Sequence, residues 1–265
     1  MALSMLCKRI FRVSLANSMS RQSPTLSIIV KQKIISNAQM VDSSVEGHKG
    51  RRWLCTESNE HGKHRHCWKC KRKLDELEVY FCKCGIIQPL DSDWSYFEIM
   101  GTPQQFDIDT NSLTKHYRGL QKHLHPDKYS QKSDLEREYS EAQSSIVNKA
   151  YNTLLKPLSR GLYLLELHGE TIEEDQIEFE PDFLMDIMEV NETLANSADN
   201  ADTVRLIQKE NRKIINGFIV ELTDAFANEN IKKAKELLSR LKYYANIDEK
   251  VKQIQRDKGY MSSYF

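Results

Sequence analysis

The hydrophobic pattern of this chain is helical nearly throughout. Leu113, Tyr117, Leu120 and Leu124 recur at the i, i+4, i+7, i+11 spacing of a helix with one buried stripe. Lys115, Arg118 and Lys122 form a second stripe, and Lys115 lies about 200° around the axis from Leu113 at ~100° per residue. That helix therefore has a core face and a separate basic face. It should stop at His125, because Pro126 lacks an N–H and disfavours helical backbone in the residue before it. Upstream, WSYFEIMGTP (94–103) reads as a short apolar helix closed by Gly101 and Pro103. Downstream, Leu135, Tyr139, Ala142, Ile146, Ala150 and Leu154 predict a second long helix that can pack antiparallel to the first. LSRGLYLLELHG (158–169) predicts an apolar helix ended by Gly169, and GETIEEDQIEFE an acidic connector. Three further helices are expected at about 181–197, 202–228 and 230–256, the first opened by Pro181. Ile231, Ala234, Leu238, Leu241 and Ala245 give the last one near-heptad spacing that suits an antiparallel bundle.

One helix is apolar on more sides than a bundle requires. Phe183, Ile187, Val190 and Leu194 suffice to face a core, yet Leu184, Met185 and Met188 form a second apolar face roughly 140° away. Tyr243 likewise points about 160° from the Leu238, Leu241, Ala245 stripe. Such surplus positions either pack against another part of the chain or mark a protein-binding surface.

The segment Asp93 to Pro157 resembles a J-domain, with a basic helix ending in His125-Pro126-Asp127, then Asn148, Ala150, Tyr151 and Leu154 in VNKAYNTLLKP. The resemblance implies that His125, Pro126, Asp127, Lys115, Arg118 and Lys122 dock on a DnaK-type heat-shock chaperone and stimulate its ATP hydrolysis, with no chemistry performed by this chain.

Composition adjusts this picture at the N-terminus. The 265 residues are 40% hydrophobic and 29% charged, and Lys plus Arg balance Asp plus Glu at 38 each, so there is no overall polyanion-binding signature. Lys8, Arg9, Arg12, Arg21, Lys31 and Lys33 precede the first acid, Asp42, so residues 1–41 carry +6 and the remainder −6. A basic, acid-free, Ser-containing start with interrupted apolar stretches reads as a mitochondrial transit peptide, the rival being a basic tail. The expected address is the mitochondrial matrix, with room for a cytoplasmic pool. No apolar run approaches the ~20 residues needed to cross a bilayer.

Cysteines supply the remaining chemistry. Residues 42–66 read as a His-rich linker, followed by CWKC and FCKC: Cys67, Cys70, Cys82 and Cys84. Two close pairs of thiolates can surround a tetrahedral Zn2+, and the metal can supply stability that so short a segment lacks. Disulfides are the rival reading, disfavoured in a reducing compartment. The second pair has one intervening residue where two are usual, so His64, His66 or Cys55 could replace a ligand, and Cys82-Lys83-Cys84 could be a redox pair. HGKHRHCWKCKRK is locally basic, but without a repeated aromatic pattern that would point to nucleic acid.

Taken together, the four-cysteine module, the J-like segment, YLLELHG, FLMDIMEVNETL and LLSRLKYYANIDEKV resemble the HscB family of specialised J-proteins in iron-sulfur cluster biogenesis, in its mitochondrial animal-type form. The resemblance spans about Cys67 to Lys252. It implies that Leu184, Met185, Met188 and Tyr243 contact an IscU-type scaffold, which the protein presents to the mitochondrial chaperone. The family's cysteine pairs are both CxxC, and Cys82-Lys83-Cys84 departs from that. The alternative is a general mitochondrial J-protein delivering unfolded clients.

The expected architecture is all-α: a J-domain built as an antiparallel helical hairpin with short helices, then a three-helix bundle, preceded by a small zinc-binding module. In order, it comprises a transit peptide (1–41), linker (42–66), cysteine module (67–90), J-domain (91–157), connecting helix and acidic loop (158–180), scaffold-binding bundle (181–257) and tail (258–265). Structural Zn2+ and no catalytic cofactor are expected, with no nucleic-acid or membrane partner; self-association stays open.

Overall fold

A computed structural model describes residues 65–75, 78–90, 93–172 and 178–260. The expected transit peptide (1–41), the expected linker before Arg65, His64, Cys55 and the expected tail beyond Tyr260 lie outside them. The described residues are helical, with two isolated β-bridges and no strand.

Helix α1 (Tyr96–Ile99) is held by a capping box between Ser95 and Glu98, and Gly101, at φ +56°, turns the chain out of it. Helix α2 (Thr110–Leu124) starts at Asp109, whose carboxylate accepts from the N–H groups of Asn111 and Ser112. A 3-10 turn (Pro126–Tyr129) leads into α3 (Asp134–Leu155), which opens on a second capping box between Ser133 and Glu136. Pro157 starts α4 (Pro157–Leu167), and Gly169 at φ +73° ends it with Glu170 N–H bonded back to the Leu165 carbonyl. Helices α5 (Pro181–Asn196), α6 (Ala201–Ala227) and α7 (Ile231–Asp257) form the expected bundle within a residue of the expected bounds.

The α2–α3 hairpin is closed by polar bonds as much as by apolar contact. Tyr117 and Gln121 both donate to Asn148 Oδ1, at 2.7 and 2.8 Å, and Tyr117 stacks on Tyr151 with ring centroids 4.0 Å apart. Ala150 and Leu154, the other two residues of that motif, are fully buried.

The stripe expected on α3 is displaced by about one residue over its first half. Leu135, Tyr139 and Ile146 are half-buried and Ala142 is exposed, whereas Glu136, Ser140, Gln143, Ser144 and Val147 are buried. The reason is what this face meets: Ser140 Oγ donates to the Leu124 carbonyl (2.8 Å), Ser144 Oγ to Gln121 Oε1 (3.0 Å) and Gln143 to the Gln88 carbonyl. Small and hydrogen-bonding side chains fit there, and apolar periodicity does not register them.

Helix α4, the expected connecting helix, also forms a shared wall. Leu164 and Leu165 lie in one continuous core with residues of α1–α3 and with Leu222, Leu237, Leu238 and Leu241 of the bundle. Phe106, just before α2, stacks on Phe226 of α6 at 5.4 Å, and buried Arg160 lies over the same Phe106 ring while donating to the Leu154 carbonyl. Gly161 is required for this approach: a Cβ there would come within 2.5 Å of Leu238 Cδ2.

Candidate functional site

The hairpin tip is built by its flanks. Pro126 holds His125 extended at φ −60°, ψ 128°, which stops α2, and the last-turn carbonyl of Leu124 is satisfied by Ser140 instead of by the helix. His125 Nδ1 accepts from the Asp127 N–H (3.3 Å), leaving the ring 55% and the Asp127 carboxylate 89% exposed. Lys115, Arg118 and Lys122 are exposed at i, i+3, i+7 along α2, and Lys122 precedes His125 by one turn. The structure thus brings these six residues together as one cationic strip ending in a polar tip.

On the bundle, Phe183, Ile187, Val190 and Leu194 are buried, as the pattern requires. Leu184, Met185 and Met188 are 38, 65 and 61% exposed, so no other part of the described chain covers that second face. Tyr243 differs from them. It is half-buried on α7, where its ring meets Phe179 and Phe183 edge-on at 5.3 and 5.5 Å, so it supports the base of α5 as well as lying at the same end as Leu184. Arg240 closes this corner by an ion pair to Glu180 at 2.8 Å.

The four cysteines converge. Their sulfurs all lie within 4.8 Å of one another, with Cys67 and Cys84 3.7 Å apart and Cys70 and Cys82 3.6 Å apart. Ligands ~2.3 Å from a tetrahedral Zn2+ stand about 3.8 Å from each other, so the donor set fits that ion. His66, although described, is exposed on the flanking bridge to Lys73 and does not join the group.

The short CxC pair is accommodated by a knuckle closed one residue sooner. In the first knuckle Cys67 N–H bonds to Arg72 O, and Cys67 O accepts from Lys71 N–H. In the second, Cys82 N–H bonds to Ile86 O, and Cys82 O accepts from Gly85 N–H. Each second cysteine is followed directly by the left-handed residue, Lys71 at φ 62° or Gly85 at φ 81°. Removing one residue therefore shortens the loop while keeping the sulfur in register with the turn.

The electrostatics also call for a cation. Burial pushes the Cys67 thiol up, but the N–H groups of Cys70 and Lys69 and the neighbouring thiols outweigh it, bringing it down to about 6. Cys82 is lowered by the Cys84 N–H, against the effect of burial, with help from Arg72, whose guanidinium lies 3.4 Å from its sulfur. Cys84 is drawn down by the Ile86 N–H, yet burial and its three thiol neighbours push it to about 12. Four sulfurs this close do not all ionise without positive charge among them.

Comparison with known proteins relates the chain as a whole to a family. The profile of the HSCB C-terminal oligomerisation domain matches residues 179–252. The human iron-sulfur cluster co-chaperone protein HscB is 40% identical over 194 residues, covering 70% of this chain and 80% of that protein. The mouse protein of the same name is 40% identical over 196 residues, covering 70% and 81%. The chain belongs to the HscB family. The crystal structure of human co-chaperone protein HscB superposes with a TM-score of 0.62 at 38% identity, covering 71% of this chain and 98% of that one. The helical hairpin and C-terminal bundle expected from the sequence are thus the HscB fold.

Within this HscB-type frame, sequence reasoning missed the residues that serve the sulfurs. Glu78 accepts from Arg72 and from the N–H groups of Asp75 and Lys83, and so aims Arg72 at Cys82. The Asp75 N–H first, and Arg72 next, hold its carboxyl down to about 2. Gln88 is fully buried and donates to Cys67 Sγ at 3.4 Å. A signal for it existed: Gln88 is the lone polar residue inside the apolar run Ile86-Ile87-Gln88-Pro89-Leu90.

Proposed function

We propose that this chain is a co-chaperone of iron-sulfur cluster assembly in the mitochondrial matrix, an adaptor with no active site of its own. Its two binding faces are the cationic strip with the His125-Pro126-Asp127 tip, for a DnaK-type chaperone, and the α5 stripe of Leu184, Met185 and Met188 with Tyr243 at its margin, for an IscU-type scaffold.

The observation that carries the reading is the contrast between these faces on one body. Exposed basic contacts contribute ~0–1 kcal/mol each and are screened by salt, so Lys115, Arg118 and Lys122 would steer and orient the chaperone more than hold it. A chaperone docked there would meet His125 and Asp127 first. Burying a Leu or Met side chain is worth about 1.5–3 kcal/mol, so the α5 stripe can dominate scaffold binding. Cys67, Cys70, Cys82 and Cys84 would hold Zn2+, which supplies structural stability and, with four sulfur ligands, leaves no open position for catalysis. The names of the human and mouse relatives support the iron-sulfur assignment. The expected division into J-domain (91–157) and scaffold-binding bundle (181–257) follows the two faces, with α4 belonging to both.

The test is the chaperone's ATPase rate with this protein, with the scaffold, and with both. Stimulation by the pair beyond the sum of the two supports the adaptor. Simple additivity, or suppression of aggregation of unrelated unfolded proteins by the same surface, favours a general J-protein.

A further inference from the structure

The cysteine module is anchored in the main core by Tyr80 and Ile87, and the sulfur-bearing knuckles reach the hairpin through a separate polar path. Gln88 gathers both knuckles: its Oε1 accepts from the Trp68 N–H (3.4 Å), its Nε2 donates to Cys67 Sγ, and its own N–H bonds to the Tyr80 carbonyl (2.9 Å). Its carbonyl then accepts from Gln143 of α3. One turn earlier on α3, Tyr139 meets the Trp68 ring edge-on at 6.2 Å. Between these two contacts lies Ser140, the residue that holds the Leu124 carbonyl next to His125.

We propose that Gln88 and Gln143 are positioning residues that transmit metal occupancy of the four cysteines to the His125-Pro126-Asp127 tip. This rests on reading the module as a zinc site and on reading the tip as the stimulatory contact. Tyr80 and Ile87 tie the second knuckle to the main core, whereas the first has only the small cluster of Cys67, Leu74 and Cys82, so its folded state depends most on the sulfurs being held together. Without the metal the first knuckle opens, and Gln88 loses its place. Gln143 then loses its bond, for its Oε1 has no partner and its Nε2 reaches Gln88 alone among the described residues. The α3 face there is Ser140, Gln143 and Ser144, which bury little apolar surface to resist the loosening. A stretch with few apolar contacts opens at low free energy. The buried residues of α5, Phe183, Ile187, Val190 and Leu194, are not part of the core that takes in Tyr80, Ile87 and α3, so scaffold binding should be indifferent to the metal.

The experiment uses the full chain with Zn2+ bound, then stripped by a chelator and reloaded, with bound zinc counted at each stage. Hydrogen exchange is followed in peptides spanning residues 120–147 and 201–257. Stripping should speed exchange in the first set by about tenfold or more, leave the second unchanged, and be reversed by zinc. Chaperone stimulation should fall in parallel while scaffold affinity stays constant. Gln143→Leu should still bind zinc in full but lose the difference in exchange between loaded and stripped protein; a merely structural role would loosen the hairpin equally in both states. Gln143→Met, of matching length, serves if the leucine variant does not fold. A chain that binds no zinc overturns the metal reading and the coupling with it. Full zinc binding with an unresponsive hairpin, or a Gln143 variant that keeps the whole response, overturns the coupling alone. Intact coupling in exchange with unchanged chaperone stimulation overturns the link to the tip.

Discussion

Replacing Met185 and Met188 together by alanine isolates the proposed scaffold face from the fold. Both side chains are largely exposed, at 65 and 61%. Full burial of a methionine is worth about 1.5–3 kcal/mol, so roughly six tenths of that, about 1–2 kcal/mol each, remains to be gained from a partner. The pair should therefore lose about 2–4 kcal/mol of binding, a roughly 30- to 1000-fold rise in Kd at ~1.4 kcal/mol per decade. Unfolding free energy should change by no more than about 0.5 kcal/mol, since neither side chain is in the core. Titration calorimetry against an IscU-type scaffold, with thermal melts of both proteins, measures the two quantities. Phe183→Ala is the contrast. Buried beside them at 4% exposure, it should cost about 3–5 kcal/mol of stability and affect binding only through the fold. An unchanged melt with a Kd shift below about threefold would refute the assignment of this face. Tyr243→Ala is a poorer probe, because that ring also supports Phe179 and Phe183.

His125→Gln should leave the melt and scaffold affinity unchanged, because the ring's hydrogen bond is to the Asp127 N–H on an exposed tip, while abolishing synergistic ATPase stimulation in a coupled assay. Gly161→Ala should destabilise by about 1–3 kcal/mol in denaturant titration, since the added Cβ meets the fully buried Leu238 between α4 and α7. Glu78 has a depressed folded-state pKa, so its contribution is present above about 4.5, the ordinary glutamate range, and is lost only as pH falls towards about 2. Glu78→Gln should remove that contribution at neutral pH and release zinc at a higher pH than the parent, as followed with a chromogenic chelator.

The elements themselves were legible because each carries local punctuation: Asp109 and Ser133 as caps, Pro126, Pro157 and Pro181 as breaks or starts, Gly169 as a stop. The surplus apolar face of α5 was legible too, since a helix with more apolar sides than neighbours must expose one. Three things were not. The burial of Ser140, Gln143 and Ser144 depends on bonds to Leu124, Gln88 and Gln121, which spacing along α3 does not contain. The half-buried state of Tyr243 depends on Phe179, which precedes the helix that defines the face. The adequacy of Cys82-Lys83-Cys84 depends on a turn closing at Ile86 through Gly85, a backbone event rather than a ligand count.

The shared wall formed by α4 bears on how two partners would meet. Two binding modules on a flexible linker sample many separations, and the local concentration one gives the other is diluted over that volume. Here Leu164 and Leu165 sit in one core with both the hairpin and the bundle, and Phe106 is stacked directly on Phe226. A scaffold seated on α5 would be presented to a chaperone on α2 across a fixed span and at a fixed angle. The protein would then act as a gauge rather than a tether: a change in the seam at Gly161 or Phe106 should alter the cooperation between the partners while leaving each pairwise affinity intact.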